Sequence, residues 1–190
     1  MMAALRTPRG IATALILLVL AALPLLTQAF DQRYLLSIGT RIVIWSIAAV
    51  SLNMILGYGG LVSFGHAMFF GTAGYVSAHA AKVWGVPPEV AILAGTLAST
   101  ALGALTGALS IRRQGIYFAM ITLAMAQMIF FFYLQAPFTG GEDGIQSVPR
   151  GRMFGVLDLS NVHVMYYVVL AIFVAGFLAI RRIIHSPFGQ

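Results

Sequence analysis

The sequence predicts an all-α, polytopic membrane protein of about six transmembrane helices, and three observations lead to this fold class. Hydrophobic residues make up 60% of the 190 residues and charged residues only 8%. Soluble domains carry about 25% charged residues, so this chain cannot cover a water-facing surface. Apolar runs long enough to cross the roughly 30 Å bilayer core as helices alternate with short polar segments. Basic residues cluster in alternate polar segments, which is typical of membrane orientation.

Six apolar runs are predicted as spans within a single transmembrane domain that covers residues 1–190. They are residues 11–30, 35–56, 66–84, 90–111, 116–136 and 162–180. The first run also fits a secretory signal, because Thr27, Gln28 and Ala29 resemble a small-residue cleavage site. The sequence therefore leaves open whether residues 1–29 are retained.

The charge distribution predicts that both termini are cytoplasmic. With six spans, one side of the membrane receives no acidic residue and six arginines: Arg6, Arg9, Arg112, Arg113, Arg181 and Arg182. The other side receives all five acidic residues together with Arg33, Lys82, Arg150 and Arg152. The positive-inside rule makes the arginine-only side cytoplasmic.

Several classes of chemistry are excluded or disfavoured by composition. The chain has no cysteine, so disulfides, thiol catalysis and cysteine-based metal sites are excluded. Lys82 is the single lysine and no GxxxxGK[ST] sequence occurs, so the chain encodes no P-loop ATPase. The net charge of +6 comes from basic pairs between apolar runs, which does not indicate nucleic-acid binding. No catalytic constellation appears at membrane depth, and we expect neither a metal nor a cofactor on this chain.

The stretch GYGGLVSFGHAMFFGTAG (residues 57–74), called the glycine segment below, interrupts the apolar pattern after the second span. Glycine is costly inside a helix, and membrane proteins use it where helices break or touch closely. We predict a break at Gly59 and Gly60, and a small packing face from Ser63, Ala67 and Gly71, which recur every four residues. The predicted translocation-core and packing positions are Gly57, Gly59, Gly60, Ser63, Gly65, Ala67, Gly71 and Gly74.

Two further polar features have alternative interpretations. Arg41, in the second span, is interpreted as reaching back to the nearby interface, with an ion pair inside the bundle as the alternative. His66 is interpreted as structural, with proton transfer as the alternative. The segment TGGEDG (residues 139–144) is acidic and glycine-rich but lacks the EF-hand pattern, so we interpret it as a docking or gating loop rather than a calcium site.

Four motifs, in order, resemble permease subunits of branched-chain amino acid ABC importers. They are residues 57–75, the run RQGIYFAMITL (113–123), TGGEDG (139–144) and HSPFG (185–189). The resemblance covers about residues 35–190 and is to the permease type with a long outer loop before S-P-F-G.

The resemblance implies a transport subunit without its own ATPase, in the bacterial cytoplasmic membrane. Its implied partners are a second homologous permease, two ATPase subunits that use ATP, and an extracytoplasmic substrate-binding protein. Thr139, Gly140, Gly141 and Gly144 would serve binding-protein docking or gating. Ser186, Pro187, Phe188 and Gly189 would lead into the segment that couples to the ATPases.

Family members are much longer than 190 residues, so we expect this chain to be the N-terminal part of a longer family domain. The solute is left open among branched-chain amino acids and related small polar solutes. An ion-coupled secondary transporter and a non-transporting scaffold remain alternatives. A secondary transporter normally needs ionisable residues in mid-membrane, and Arg41, near an interface, is the only charged candidate.

Overall fold

The computed structural model describes residues 8–29, 33–112 and 115–186, and helices dominate these ranges. The helices are α1 (Pro8–Ala29), α2 (Arg33–Asn53), α3 (His66–Lys82), α4 (Pro88–Ser110), α5 (Ile116–Gln135) and α6 (Val162–Ile184). A π-helical turn (Met54–Tyr58) extends α2, and two 3-10 turns (Pro137–Thr139 and Gly141–Asp143) follow α5. Strands β1 (Arg152–Met153) and β2 (Leu157–Asp158) form a small antiparallel hairpin before α6.

The structure confirms the all-α, polytopic membrane class. Four helical stretches are long and apolar enough to cross a bilayer: Tyr34–Tyr58, Pro88–Ser110, Ile116–Gln135 and Val162–Ile184. Ile11–Thr27 is a shorter apolar stretch, and α3 has only 17 residues, about 26 Å of helix. All six predicted helices are present. That all six of them cross the membrane stays a prediction.

Helices α1, α2 and α6 form one packed group. Its core contains Leu36 and Val43 from α2 and Tyr166, Val169, Leu170 and Phe173 from α6. Gly39 lets the helices approach closely, because a Cβ there would lie 3.1 Å from the Leu23 side chain and 3.3 Å from the Tyr166 ring.

Pro24 lies inside α1 and cannot donate the backbone hydrogen bond that Leu20 would otherwise accept. The Tyr166 hydroxyl, from α6, donates to this same Leu20 carbonyl oxygen at 2.6 Å. Tyr166 is completely buried. A side chain of the last described helix therefore satisfies the carbonyl that proline frees in the first, which is how a membrane helix tolerates an internal proline.

Helices α3, α4 and α5 form a second group. Gly95, Ser99, Gly103 and Gly107 recur every four residues on α4 and predict a small-residue packing face, called the α4 ridge below. The structure places this ridge against α3. A Cβ at Gly95 would lie 2.5 Å from the Ala73 carbonyl oxygen, and the Ser99 hydroxyl donates to the Phe69 carbonyl at 2.9 Å. The face ends before Gly107, where an added Cβ has no neighbour within 4 Å among the described residues.

The two groups meet where α2 faces α3. The rings of Trp45 and Phe70 lie 5.4 Å apart, and the Ser51 hydroxyl lies 2.6 Å from His66 Nε2. The chain passes between the groups twice, through the glycine segment and through residues 137–161, called the outer loop below after the side on which the charge distribution predicts it. Both connections are candidate functional elements because they join the two helix groups.

Candidate functional site

The glycine segment contains the predicted interruption, and its geometry shows how the helix ends. The last turn of α2 widens into the π-helical turn, so that the Gly59 N–H reaches the Met54 carbonyl at 3.2 Å. Gly60 follows with φ +62°, a left-handed conformation that favours glycine. Regular helix resumes at His66. The break therefore occupies residues 59–65.

The broken backbone lies against α5. The Phe64 N–H donates to the Thr122 hydroxyl at 3.3 Å, and a Cβ at Gly65 would lie 2.8 Å from the Thr122 carbonyl oxygen. Thr122 is six residues into α5, roughly 9 Å from the helix start. Non-helical backbone at such depth in a membrane is tolerated where protein or a water-filled cavity surrounds it. Gly65 is buried, so protein packing accounts for this position.

His66 links the two sides of the break. Its Nε2 lies 2.6 Å from the Ser51 hydroxyl of α2, while its Nδ1 is buried and has no hydrogen-bond partner among the described residues. The ring also packs edge-on against Phe69 at 6.1 Å. These contacts favour the structural interpretation of His66. Arg41 is exposed on α2, as its interfacial interpretation requires.

The small face predicted from Ser63, Ala67 and Gly71 needs correction. Ser63 precedes α3, which begins at His66, and is therefore not on a helix face. Ala67 is exposed, and a Cβ at Gly71 or Gly74 would meet nothing within 4 Å among the described residues. Periodicity was misleading here because it assumed helix through the break. Any packing role of Gly71 and Gly74 is thus left to other chains and stays a prediction.

The first half of the outer loop is closed tightly onto the end of α5. Thr139 is 1% exposed, and its hydroxyl lies 2.5 Å from the Tyr133 carbonyl and 2.6 Å from the Ala136 carbonyl. Its hydroxyl proton can thereby pair with the Tyr133 carbonyl, which the end of α5 leaves without a backbone donor because residue 137 is proline, while the Ala136 carbonyl also accepts from the Thr139 N–H at 3.2 Å. Gly140, Gly141 and Gly144 have φ of +82°, +62° and +66°, so three of the motif's positions favour glycine for conformational reasons.

The second half of the outer loop is held by long-range contacts to the ends of α3 and α4. The Lys82 ammonium donates to the Gln146 carbonyl at 2.7 Å. The Phe154 N–H donates to a Glu89 carboxylate oxygen at 3.4 Å, and Gly151 packs against Pro88. Farther along, the Ser160 N–H bond to the Asp158 carboxylate lowers the pKa of Asp158. The predicted docking or gating loop is therefore a defined structure over one group of helices.

Beneath the loop lies a pocket that the sequence did not predict, called the outer pocket below. Its volume is about 360 Å³, and it lies between the C-terminal ends of α3 and α5. Tyr75 and Tyr133 stack there with ring centroids 4.5 Å apart, and His79 packs edge-on against Trp84 and Phe138 at 5.6 and 6.0 Å. Thr139 and Ile145 extend the lining from the loop. The signal available in the sequence was the clustering of aromatic residues near both helix ends.

The two remaining predictions concern residues 186–189 and metal binding. Ser186 closes the end of α6, where its hydroxyl donates to the Ile183 carbonyl at 2.7 Å, while Pro187, Phe188 and Gly189 lie outside the described residues. Among the described residues no group of three or more histidine, aspartate or glutamate side chains is arranged to hold a metal.

Comparison with known proteins decides the family. Residues 34–190 match the family model described as the permease component of the branched-chain amino acid transport system. The chain belongs to this family of branched-chain amino acid permeases. The matched range includes the glycine segment and the outer loop, which the motif resemblance had singled out, and starts at the beginning of α2.

Two curated relatives are high-affinity branched-chain amino acid transport system permease proteins LivM. This family member is 26% identical to the Salmonella typhimurium protein over 182 residues, covering 84% of this chain and 43% of the relative. It is 26% identical to the Escherichia coli protein over 199 residues, covering 91% of this chain and 47% of the relative. The chain thus spans less than half the length of these relatives. No solved structure matches it.

Proposed function

We propose that this chain is a membrane-embedded permease subunit of an ATP-driven importer for branched-chain amino acids or related small polar solutes. The observation that carries the proposal is the family match over residues 34–190, which includes both connections between the helix groups. The chain forms part of the translocation pathway and performs no covalent chemistry. The absence of a P-loop in the sequence agrees with ATP hydrolysis by separate subunits.

The proposed assembly contains a second homologous permease, two ATPase subunits on the cytoplasmic side and a soluble binding protein on the outer side. Large apolar side chains such as Leu18, Leu97 and Ile116, each more than two-thirds exposed, fit contact with lipid or with a second permease. The outer loop is the surface that meets the binding protein. Residues 186–189 approach the region that couples to the ATPases.

In this proposal, alternating access arises from movement of the α1–α2–α6 group relative to the α3–α4–α5 group. The glycine segment is the pivot between them, with Gly60 able to take backbone conformations that other residues resist. The first group has a hydrophobic core between α2 and α6, and in the second group α4 packs closely on α3, whereas the groups meet along α2 and α3. Such bodies can move as units in a hinge motion.

Uptake by reconstituted vesicles tests the function. The full assembly with its partner subunits is incorporated into proteoliposomes, and radiolabelled leucine uptake is measured with and without internal ATP and with a protonophore. We expect uptake that requires ATP and binding protein and resists the protonophore. Uptake driven by a proton or sodium gradient without ATP would instead identify a secondary transporter.

The proposed location is the bacterial cytoplasmic membrane, with the outer loop outside and both termini in the cytoplasm. The native chain has no cysteine and is a ready background for labelling. In cells, a membrane-impermeant thiol reagent should label Val148→Cys directly and Ser186→Cys only after permeabilisation. The opposite pattern would invert the topology.

A further inference from the structure

The outer pocket has the size and chemistry of a site for a small apolar group. Its volume of about 360 Å³ lies at the lower end of the roughly 300–1,000 Å³ that small-ligand sites occupy. The described lining residues include no charged side chain and five aromatic ones of Phe, Tyr or Trp. An ammonium or carboxylate group would lose its hydration inside without an acidic, lysine or arginine side chain to pair with among the described lining residues, whereas an aliphatic group gains from leaving water.

The pocket is also placed where a solute arriving from outside would meet the helices. Its walls are the outer ends of α3 and α5, and its cover is the water-exposed outer loop, which contributes Thr139 and Ile145. Glu142 and Asp143 on the same loop are exposed. An occupant therefore has an apolar part among the rings and a polar part that can stay near water.

We propose that the outer pocket receives the aliphatic side chain of the transported amino acid, while its ammonium and carboxylate groups remain at the mouth. This inference rests on the proposed function and adds to it a place and a selectivity mechanism. The stacked rings of Tyr75 and Tyr133 form one wall, and the edge-on cluster of His79, Trp84 and Phe138 lines the rest of the site. Selection comes from side-chain burial, so leucine is favoured over serine by about ten- to a hundred-fold.

The outer loop controls this site through the positions that hold it closed. Thr139 fixes the loop to α5, and a Cβ at Gly144 would lie 3.7 Å from the Tyr75 hydroxyl, so the Gly144 backbone lies beside the aromatic wall. Opening the loop would widen the mouth, and closing it would shield the bound side chain from water.

The chain's two tryptophans allow a direct test, because Trp84 lines the pocket and Trp45 does not. In the Trp45→Phe background, the full chain in lipid nanodiscs is titrated with L-leucine and, separately, with L-serine while Trp84 fluorescence is recorded. We expect a saturable change with leucine and an apparent Kd at least ten-fold higher for serine. Equal responses to both, or none up to the solubility limit of leucine, would overturn the proposal.

A pair of loop variants identifies the pocket as the source of the signal. Ile145→Phe adds bulk to the lining and should raise the apparent Kd for leucine at least ten-fold. Val148→Phe makes a similar apolar-to-aromatic change on the same loop outside the lining and should leave the Kd unchanged. Equal effects of the two variants would contradict the assignment. A Trp84 signal that follows nanodisc lipid chain length instead of leucine would assign the pocket to lipid.

Uptake measurements separate failure of this inference from failure of the proposed function. One outcome is that Ile145→Phe leaves ATP-dependent leucine uptake intact and that Trp84 in the assembly does not respond to leucine. This outcome would contradict leucine binding in the outer pocket but would still support the ATP-driven importer. The other outcome is a leucine-selective Trp84 response in an assembly that transports leucine only with an ion gradient. This outcome would support leucine binding in the outer pocket but contradict ATP-driven transport.

Discussion

The hydrogen bond between Tyr166 and the Leu20 carbonyl provides a sharp test of how α1 accommodates its proline. Tyr166→Phe removes the hydroxyl and leaves the ring volume nearly unchanged. The Leu20 oxygen, which accepts from this hydroxyl at 2.6 Å, then loses its donor because Pro24 has no N–H. Leaving a buried acceptor unpaired costs about 1–3 kcal/mol, and hydrogen bonds between membrane helices average about 0.6 with a maximum near 1.7 kcal/mol. We expect a loss of about 1–1.5 kcal/mol.

A double-mutant cycle with Pro24→Ala isolates the physical cause. The alanine variant restores a backbone N–H that can bond the Leu20 oxygen within α1, so the Tyr166 hydroxyl is no longer its required donor. In that background Tyr166→Phe should cost only about 0.5 kcal/mol or less, giving a coupling energy of roughly 1 kcal/mol. The cycle also removes the separate packing effect of changing the buried Pro24.

Equilibrium unfolding in mixed micelles, followed by tryptophan fluorescence, measures the four stabilities. Tyr167→Phe is the matched control, because Tyr167 is the neighbouring tyrosine and is 45% exposed. It should change the free energy of unfolding little. Equal costs of Tyr166→Phe in the wild-type and Pro24→Ala backgrounds would refute the explanation that Tyr166 compensates for the proline.

Three further predictions concern the second helix group and its connections. Gly95→Leu should prevent correct packing of α3 on α4 and lower the yield of folded protein several-fold, measured by detergent size-exclusion chromatography, whereas Gly107→Leu on the same ridge should be tolerated by this chain. Equal yields would refute the placement of Gly95 against Ala73. Thr139→Val should destabilise the outer loop by about 1–2 kcal/mol and increase its proteolysis, while Thr96→Val, which removes an exposed hydroxyl within α4, should not. Unchanged cleavage of Thr139→Val would contradict the capping role. Gly60→Ala should cost about 1 kcal/mol through its left-handed backbone and slow uptake more than it lowers expression; full uptake would argue against a pivot there.

The local features of this fold were predictable because they depend on residues close in sequence. Every predicted span corresponds to a helix, and the interruption after the second span lies within the predicted glycine segment. The ridge on α4 was correctly interpreted as a packing surface for Gly95 and Ser99. For the corresponding face, Ser63 lies outside α3 and Gly71 meets no neighbour within 4 Å among the described residues, so its packing role stays a prediction. Spacing alone cannot show where a helix begins, and in a membrane apolar residues do not distinguish a lipid-facing surface from a packed one.

The TGGEDG motif (residues 139–144) likewise has some features that the sequence predicted and others that only the structure shows. Its glycines indicated unusual backbone, and three of them do have positive φ. That Thr139 caps α5, or that the loop covers an aromatic pocket, depends on how α5 ends and which helix lies beside it. Neither is encoded in the spacing of the motif.

By itself the sequence determined the membrane class, the positions of the helices and the four motifs of the permease family, because hydrophobic length and short motifs are local properties. Only the tertiary structure decided which polar side chains and backbone atoms form hydrogen bonds with one another. Tyr166 and Leu20 are 146 residues apart, Thr122 and Phe64 are 58 apart, and Lys82 and Gln146 are 64 apart. Each pairing satisfies a polar group where helices or loops from distant parts of the chain meet, and this requirement fixes partners only once the helices are packed.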